Sequence, residues 1–180
     1  MNTKFKLWLP LAGLLLGPAA YAATMVEVTL VDKLDEPRGF CFDTLGFQAE
    51  ARPEEGLQTH SCYSYQGQLA VDQAFDGDLI PEGTFRLIEY DVCMTLTGTS
   101  AGSSLALEPC DGSEFQQFEH RANGRIVATA APGNCVTAGE GPSRHGGGGE
   151  PVHLIRDLTL QVCDGSRNAR QQWRLRETAD

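Results

Sequence analysis

The fold of this chain is decided by a stretch that reads Asn134-Cys135-Val136-Thr137, then Leu158-Thr159-Leu160-Gln161-Val162-Cys163, then Gln171-Gln172-Trp173. The first two segments are short and apolar, and each contains a cysteine. The closing triplet has a glutamine followed two positions later by an aromatic residue. Apolar runs of this length, separated by Gly, Ser and Asp, are typical of β-strands joined by turns. The stretch therefore predicts two strands, a loop and a third segment in close succession.

Two further copies of this pattern precede it. The middle copy reads Val92-Cys93-Met94-Thr95, then Ser104 to Cys110, then Gln116-Gln117-Phe118, and the first reads Gly39 to Asp43, then Gly56 to Cys62, then Gln73-Ala74-Phe75. Self-similarity at this spacing indicates a repeat architecture. No stretch has the apolar period of an amphipathic helix. We predict an all-β fold of twelve short strands, in three units of four, closed into a barrel with three capping hairpins.

The first residues predict export. Lys4 and Lys6 precede the apolar run from Leu7 to Leu16, and small residues follow up to Ala22. This order is typical of a cleavable secretory signal, so we assign residues 1–22 as a signal peptide. The alternative, a membrane anchor, is disfavoured because the run is too short to span a bilayer. We expect a secreted or periplasmic protein with no stable membrane insertion after signal removal.

Six cysteines follow the signal, an even number in a chain bound for an oxidising compartment. Six cysteines allow many pairings, but these fall into three successive couples along the chain. We therefore predict that nearest neighbours pair, with one disulfide in each repeat. Zinc binding would require closely spaced cysteines, which the sequence lacks. The predicted disulfides are Cys41 with Cys62, Cys93 with Cys110, and Cys135 with Cys163.

Charge and motifs exclude several functions. The 24 acidic residues exceed the 14 basic ones, and a net charge of −10 repels nucleic-acid phosphates, so we predict no nucleic-acid partner. The sequence contains no motif that organises a nucleophile or a catalytic metal, and its four histidines are scattered along it. We therefore predict a protein that is not an enzyme and that has no catalytic residues, metal or cofactor.

The three cysteine couples, each followed by Gln-x-aromatic, resemble the ricin-type lectins with their Gln-x-Trp repeats. The resemblance implies a β-trefoil over residues 37–177, with repeats of about 37–86, 87–128 and 129–177. Residues 23–36 are then an N-terminal lead-in segment, in which Met25 to Leu30 alternates like an edge strand that either pairs with the barrel or only leads into it. Only the third triplet keeps tryptophan. We expect its aromatic, and Phe75 and Phe118 in the other repeats, to pack in the core.

The resemblance also implies a sugar pocket, and the first repeat matches most of its positions. Carboxylates and amides suit sugar hydroxyls, since a carboxylate can accept from two adjacent hydroxyls. We expect Gln73 to support the Asp43 carboxylate from behind. His60 stands where the family usually has a larger aromatic platform, which Tyr63 or Tyr65 would then supply. The predicted carbohydrate-binding residues are Asp43, Gln58, His60, Asp72 and Gln73.

The other two repeats depart from this pattern. Threonine replaces the acid in both, and the later positions also differ, so neither is expected to keep a working pocket. The positions concerned are Thr95, Ala106 and Glu108 in the second repeat, and Thr137, Thr159 and Gln161 in the third.

We therefore predict a lectin-like domain whose partners are glycans or glycoconjugates. One alternative is that Asp43 only stabilises a turn and His60 is an ordinary surface residue. Another is a non-catalytic protein-binding trefoil, similar to a protease inhibitor or toxin adaptor, that uses the Gly139 to Glu150 loop for contact. The identity of such a protein partner is unknown.

Overall fold

The computed structural model describes residues 23–63 and 70–177. The predicted signal peptide, residues 1–22, and Tyr65 lie outside the described residues. Within the described ranges the regular structure is almost entirely β-strand, and the single α-helix found there, α1 (Asn168–Gln171), has four residues. In this part of the chain no helix has the length and apolar character needed to cross a membrane.

Three repeats of four strands account for twelve of the thirteen strands in these ranges. The first repeat contains β1 (Met25–Leu30), β2 (Phe40–Leu45), β3 (Arg52–Ser61) and β4 (Phe75–Asp76). The second contains β5 (Arg86–Leu87), β6 (Val92–Leu96), β7 (Leu105–Pro109) and β8 (Phe118–His120). The third contains β9 (Ile126–Ala128), β10 (Asn134–Ala138), β12 (Leu154–Val162) and β13 (Trp173–Glu177), with the additional short strand β11 (Arg144–His145) in its long loop. Short 3-10 helices cover Gln48–Glu50, Ile80–Glu82, Glu114–Gln116 and Gly165–Arg167.

The first and fourth strands of the repeats form a closed ring. Strand β1 pairs with β4 and β13, β4 pairs with β5, and β8 pairs with β9. Backbone hydrogen bonds from Phe118 N to Gly83 O (2.9 Å) and from Trp173 N to Gly124 O (2.7 Å) connect the remaining neighbours. The second and third strands pair as hairpins, β2 with β3, β6 with β7 and β10 with β12. The predicted all-β trefoil is confirmed.

Strand β1 is more central than its sequence pattern indicated. It pairs with β13 from Val26 to Leu30 and also contacts β2 and β4, and only Met25 at its start is exposed. Of the two alternatives for this segment, the structure shows pairing with the barrel, and the strand has partners on both sides and is not at an edge. Alternation alone did not reveal that the last strand of the chain returns to cover this segment. The division of the chain at residue 37 stays a prediction, but β1 supplies one strand of the closed ring.

The aromatic residues of the three triplets lie in the core, as predicted. Phe75, Phe118 and Trp173 are each at most 1% exposed. The Trp173 ring packs edge-to-face against Phe42, with ring centroids 4.6 Å apart. Its indole N–H donates to the Val136 carbonyl at 2.9 Å. Full burial of such a side chain contributes about 2–3 kcal/mol to stability. Phenylalanine can therefore replace tryptophan in the first two repeats, since packing is the role of this position.

The three disulfides pair nearest neighbours, which confirms the predicted connectivity. Each joins the second strand of a repeat to the end of the third strand, with Cα atoms 5.0 Å apart. Each cross-link limits the freedom of the unfolded chain and stabilises the fold by roughly 3 kcal/mol.

A buried glutamine supports each hairpin in the same way. These glutamines, Gln73, Gln116 and Gln171, are at most 2% exposed. Each Nε2 donates to the carbonyl before the second cysteine: Ser61 at 3.1 Å, Pro109 at 2.9 Å and Val162 at 3.0 Å. It also donates to the side chain two positions after the first cysteine: Asp43 at 2.5 Å, Thr95 at 3.0 Å and Thr137 at 3.0 Å. Each Oε1 accepts the N–H that follows the second cysteine: Tyr63 at 3.0 Å, Asp111 at 2.8 Å and Asp164 at 3.0 Å.

We expect Gln116→Ala to lower the free energy of unfolding by about 1–2 kcal/mol, because the buried amide is lost and its partly exposed partners Thr95, Pro109 and Asp111 lose their hydrogen bonds. Gln117→Ala is the matched control, since Gln117 is the adjacent residue and is only half-buried; a change within about 0.5 kcal/mol is expected there. Urea denaturation of both variants measures the difference. Equal stability of the two variants would contradict the supporting role of the glutamine.

Candidate functional site

The pairing of β2 with β3 places three of the predicted site residues and Cys41 on one face of the hairpin. Asp43 lies opposite Gln58, and Cys41 lies opposite His60. Side chains of directly opposed residues share a face of the sheet, and residues two apart on one strand do so as well. The other face carries Phe42, which is fully buried in the core. The first-repeat residues therefore gather on the outer face, beside the disulfide.

Strand β12 of the third repeat extends this surface. It pairs with β3 so that Ile155 lies opposite His60 and Asp157 lies opposite Gln58. Strand β3 is thus flanked on both sides, by β2 of its own repeat and by β12 of another. This pairing brings the long loop that precedes β12 over the outer face of the first repeat.

A cleft of about 1090 Å³ opens at this junction. Its floor includes Gln58, His60, Tyr63 and Asp72 from the first repeat. One wall is the connection between β2 and β3, residues 45–52, and the opposite wall is formed by residues 146–153 of the third repeat. Three of the five predicted site residues, Gln58, His60 and Asp72, therefore line one cavity.

The other two predicted residues, Asp43 and Gln73, lie behind the floor. Asp43 is 1% exposed, whereas we expected its carboxylate to face solvent. Its Oδ2 accepts the 2.5 Å hydrogen bond from Gln73 and lies 3.6 Å from His60 Nδ1. Because the longer side chains of Gln58 and His60 stand next to it across the strand pair, they cover the short aspartate. Among the described residues, Asp43 Oδ1 has no hydrogen-bond partner.

Burial sets the protonation of this group. It raises the pKa of Asp43 well above the usual range, the negative charge of Asp72 raises it further, and the hydrogen bond from Gln73 acts in the opposite direction. Two carboxyls close together in a poorly solvated place disfavour simultaneous ionisation. The surroundings of Asp43, beneath the floor of the cleft, thus favour the neutral form of its carboxyl group.

His60 is held in its neutral form. Burial lowers its pKa to about 4, despite the hydrogen bond between its Nδ1 and the Ser61 carbonyl, 3.1 Å apart. A neutral imidazole offers one donor and one acceptor nitrogen, and it also presents a flat ring. The side chain can therefore form hydrogen bonds without bringing a positive charge into the cleft.

Aromatic rings surround the floor, and sequence reasoning missed two of them. The rings of His60 and Tyr63 lie 5.2 Å apart and 33° from parallel. His153 meets both nearly edge-on, at 5.1 Å from each, and Phe47 lies 6.0 Å from Tyr63. The histidines are scattered along the sequence, but His60 and His153 meet in the structure. Their distance in sequence concealed the contact, which depends on the pairing of β3 with β12.

Two ion-pair clusters hold the third-repeat wall in position. Arg38 makes a bidentate pair with Glu36, at 2.7 and 2.6 Å, and donates to the Val152 carbonyl at 2.5 Å. The Ser61 hydroxyl bonds to Glu36 and accepts the Leu154 N–H at 2.8 Å.

The second cluster is centred on buried Arg156. Its guanidinium donates to Asp35 at 2.6 Å and to the carbonyls of Gly139 (3.0 Å) and Gly141 (2.5 Å). Asp35 also accepts from the Ser143 hydroxyl at 2.9 Å. Residues that precede the first cysteine therefore anchor both ends of the loop that closes the cleft.

The matching positions of the other repeats have a different chemistry. Thr95 and Thr137 accept from the buried glutamines and donate to the carbonyls of Cys93 and Cys135, at 2.9 and 2.8 Å. Their hydroxyls are thus used within the hairpin. The first repeat alone has a carboxyl group at this position, and its geometry differs from that of the other two.

One group of potential metal ligands occurs among the described residues. Glu27 lies close to the sulfurs of Cys41 and Cys62. Those sulfurs are bonded to each other, and Glu27 accepts from Arg176 at 2.8 and 2.5 Å. A sulfur in a disulfide lacks the thiolate that binds metals, so this group does not fit an ion.

Comparison with known proteins identifies the architecture. The family model for the ricin-type beta-trefoil lectin domain matches residues 33–154. No protein among those with curated functions matches the chain.

Solved structures with a similar fold include three described as an agglutinin or lectins. An agglutinin from Abrus precatorius has a TM-score of 0.60 at 19% identity, with 89% of this chain covered and 51% of that chain, so this chain spans about half its length. The Vibrio vulnificus hemolysin/cytolysin β-trefoil lectin with N-acetyl-D-lactosamine bound has a TM-score of 0.51 at 15% identity. The match covers 89% of this chain and 98% of that chain. A mutant C-terminal domain of an earthworm lectin in complex with 6'-sialyllactose has a TM-score of 0.53 at 15% identity. The match covers 86% of this chain and 98% of that chain. At these identities the likeness shows the fold alone.

The neutral His60 predicts a specific pH dependence of stability. The unfolded imidazole binds a proton below its ordinary pKa of 6.5, whereas the folded one does so only near 4. The contribution of His60 to the free energy of unfolding is therefore fully present above pH 6.5. It is lost as the pH falls from 6.5 to 4, which lowers the free energy of unfolding by about 3 kcal/mol. We expect His60→Gln to remove that part of the decrease.

Urea denaturation of the wild type and of His60→Gln between pH 7 and pH 4 measures the difference, in which contributions from other groups cancel. His145→Gln, a change of an exposed histidine on β11, is the matched control. Parallel curves for the wild type and His60→Gln would show that His60 is not held neutral by the fold.

Proposed function

Because the chain belongs to the ricin-type β-trefoil lectin domain family, we propose that it binds carbohydrate, without catalysing a reaction, in the cleft between its first and third repeats. The observation that carries this proposal is the convergence of Gln58, His60 and Asp72 with the Tyr63 ring on one cleft floor. Hydrogen-bond donors and acceptors beside flat rings suit a ligand that has hydroxyls at its edge and C–H groups on its face.

Each floor residue has a chemical role in this proposal. The Gln58 amide donates to and accepts from sugar hydroxyls. Asp72 lines the cleft but is 0% exposed, so its carboxylate acts from beneath the floor. The neutral His60 ring and Tyr63 provide the stacking surface. Asp43 and Gln73 lie beneath the floor and do not contact the sugar directly. Gln73 holds Asp43 by a hydrogen bond, and Asp43 lies 3.6 Å from His60, so the pair orients the His60 ring.

The shape of the third-repeat loop favours this function over protein capture. In the alternative, the loop from Gly139 to Glu150 projects as a contact element for a protein partner. Its first half is anchored to the body of the domain through Ser143 and Arg144, which bond to Asp35 and Asp157. Its second half lines the cleft. The loop is therefore held against the domain as one side of the cleft. This arrangement favours a ligand bound inside the cleft over a protein bound to a projecting loop.

We also propose that the mature domain acts outside the cytoplasm, either secreted or periplasmic. The fold has three disulfides, which persist in oxidising compartments. This agrees with the predicted cleavage of the first 22 residues. Glycans of a cell surface or of secreted glycoconjugates are the partners available there.

Substitution of a floor residue tests the proposed site. We expect Gln58→Ala to weaken glycan binding about tenfold, because the ligand loses a bidentate polar contact and the cleft gains an unfilled space. A glycan array with the mature protein identifies a bound sugar, and calorimetry with that sugar measures the change in Kd.

Gln161→Ala is the matched control: it removes a glutamine side chain from a third strand, in another repeat and away from the cleft. The control should bind as the wild type does. Absence of any glycan signal, or equal affinity of both variants for the sugar, would overturn the proposed site.

A further inference from the structure

The size of the cleft indicates a ligand larger than one sugar, an inference that rests on the proposed function. Its volume of about 1090 Å³ reaches the upper end of the range for pockets that enclose drug-sized molecules, about 300–1,000 Å³. Gln58, His60 and Asp72 occupy only the floor. The remaining space lies between the two walls, which come from different repeats.

Two apolar side chains of the first repeat are exposed along this space. Phe47 is 48% exposed and Val71 is 41% exposed, and both line the cleft. The Phe47 ring lies 6.0 Å from Tyr63 at 49°, so it continues the aromatic floor upward at an angle. Leaving a phenylalanine half in water is unfavourable, and covering it with the C–H face of a sugar would remove that cost.

The opposite wall begins with a run of glycines, ahead of Glu150, Pro151 and His153. Gly146, Gly147 and Gly148 line it. A Cβ atom built on Gly147 or Gly148 would meet nothing within 4 Å, and one built on Gly146 would lie 3.4 Å from His60 Nε2. The glycines thus leave the imidazole edge open and present peptide groups to the cleft. Backbone N–H and C=O groups are suitable partners for sugar hydroxyls.

The ionisable groups of the cleft disfavour an anionic ligand. Among the described residues that line it are Glu50, Asp72 and Glu150, and the one arginine among them, Arg52, is paired with Glu55 at 2.7 Å. Burial lowers the pKa of both His60 and His153, so neither brings a positive charge at neutral pH. A sugar that carries a carboxylate or sulfate would meet like charges, and no unpaired arginine or lysine among the described lining residues would balance them.

We propose that the cleft binds an uncharged oligosaccharide of at least two sugars. The first sugar lies on Gln58 and His60, above the buried Asp72, and the second lies between Phe47 and the glycine wall. The second position sets the preference for chain length.

Calorimetry with three probes tests this inference: a neutral disaccharide found on the array, its terminal monosaccharide, and the sialylated form of the same disaccharide. We expect the disaccharide to bind about tenfold more tightly than the monosaccharide, and the sialylated form to bind more weakly than the disaccharide. Phe47→Ala should weaken the disaccharide about fivefold and leave the monosaccharide unchanged. Phe115→Ala, which removes a 37% exposed phenylalanine from the second repeat, is the matched control and should change neither.

A second variant separates the location of the site from the length of its ligand. Gly146→Val places a side chain against His60 and should weaken every probe, whereas Gly133→Val, at a glycine with nothing within 4 Å, should weaken none. Thermal unfolding verifies that all variants are folded. Equal affinity for monosaccharide and disaccharide, an unchanged disaccharide affinity in Phe47→Ala, or tighter binding of the sialylated form would overturn the inference alone. Unchanged binding in Gly146→Val, or no glycan bound at all, would overturn the proposed function.

Discussion

One buried glutamine in each repeat is the constraint on which the site depends. Its amide joins the strand after the first cysteine to both sides of the second cysteine, through the carbonyl before that cysteine and the N–H after it. An amide has enough donors and acceptors to satisfy all three at once. In the first repeat the same bonds fix Asp43 and the backbone of Tyr63, so the element that holds the hairpin also determines where the cleft floor lies.

The floor combines groups that a purely structural core would avoid. Asp43 and Asp72 are both buried in the first repeat, and their mutual repulsion raises the pKa of Asp43. In the other repeats a threonine hydroxyl fills the position of Asp43 and satisfies the glutamine without a charge. Burial of a carboxyl group costs free energy unless it is paired or protonated. The exception to the threefold pattern therefore coincides with the site proposed to bind a ligand.

The cleft arises from contact between repeats, which no single repeat could form. Pairing of β3 with β12 places the loop of the third repeat above the hairpin of the first. Arg38 and Arg156 then fix both ends of that loop to residues near the start of the domain. A fold with internal threefold symmetry can in this way build one enlarged site, because insertions in one loop change only the surface that it faces.

The sequence by itself determined the fold, the connectivity of the disulfides and the core role of Phe75, Phe118 and Trp173. These follow from local signals repeated three times: strand-length apolar runs, cysteine couples and Gln-x-aromatic triplets. It also indicated Gln58, His60 and Asp72, which the structure brings into one cleft. The tertiary structure alone decided that Asp43 is buried, that β1 is central and that His153 and Phe47 line the cleft. Those outcomes depend on which strands lie side by side after the barrel closes, and hydrophobic period and spacing carry no information about contacts between distant repeats.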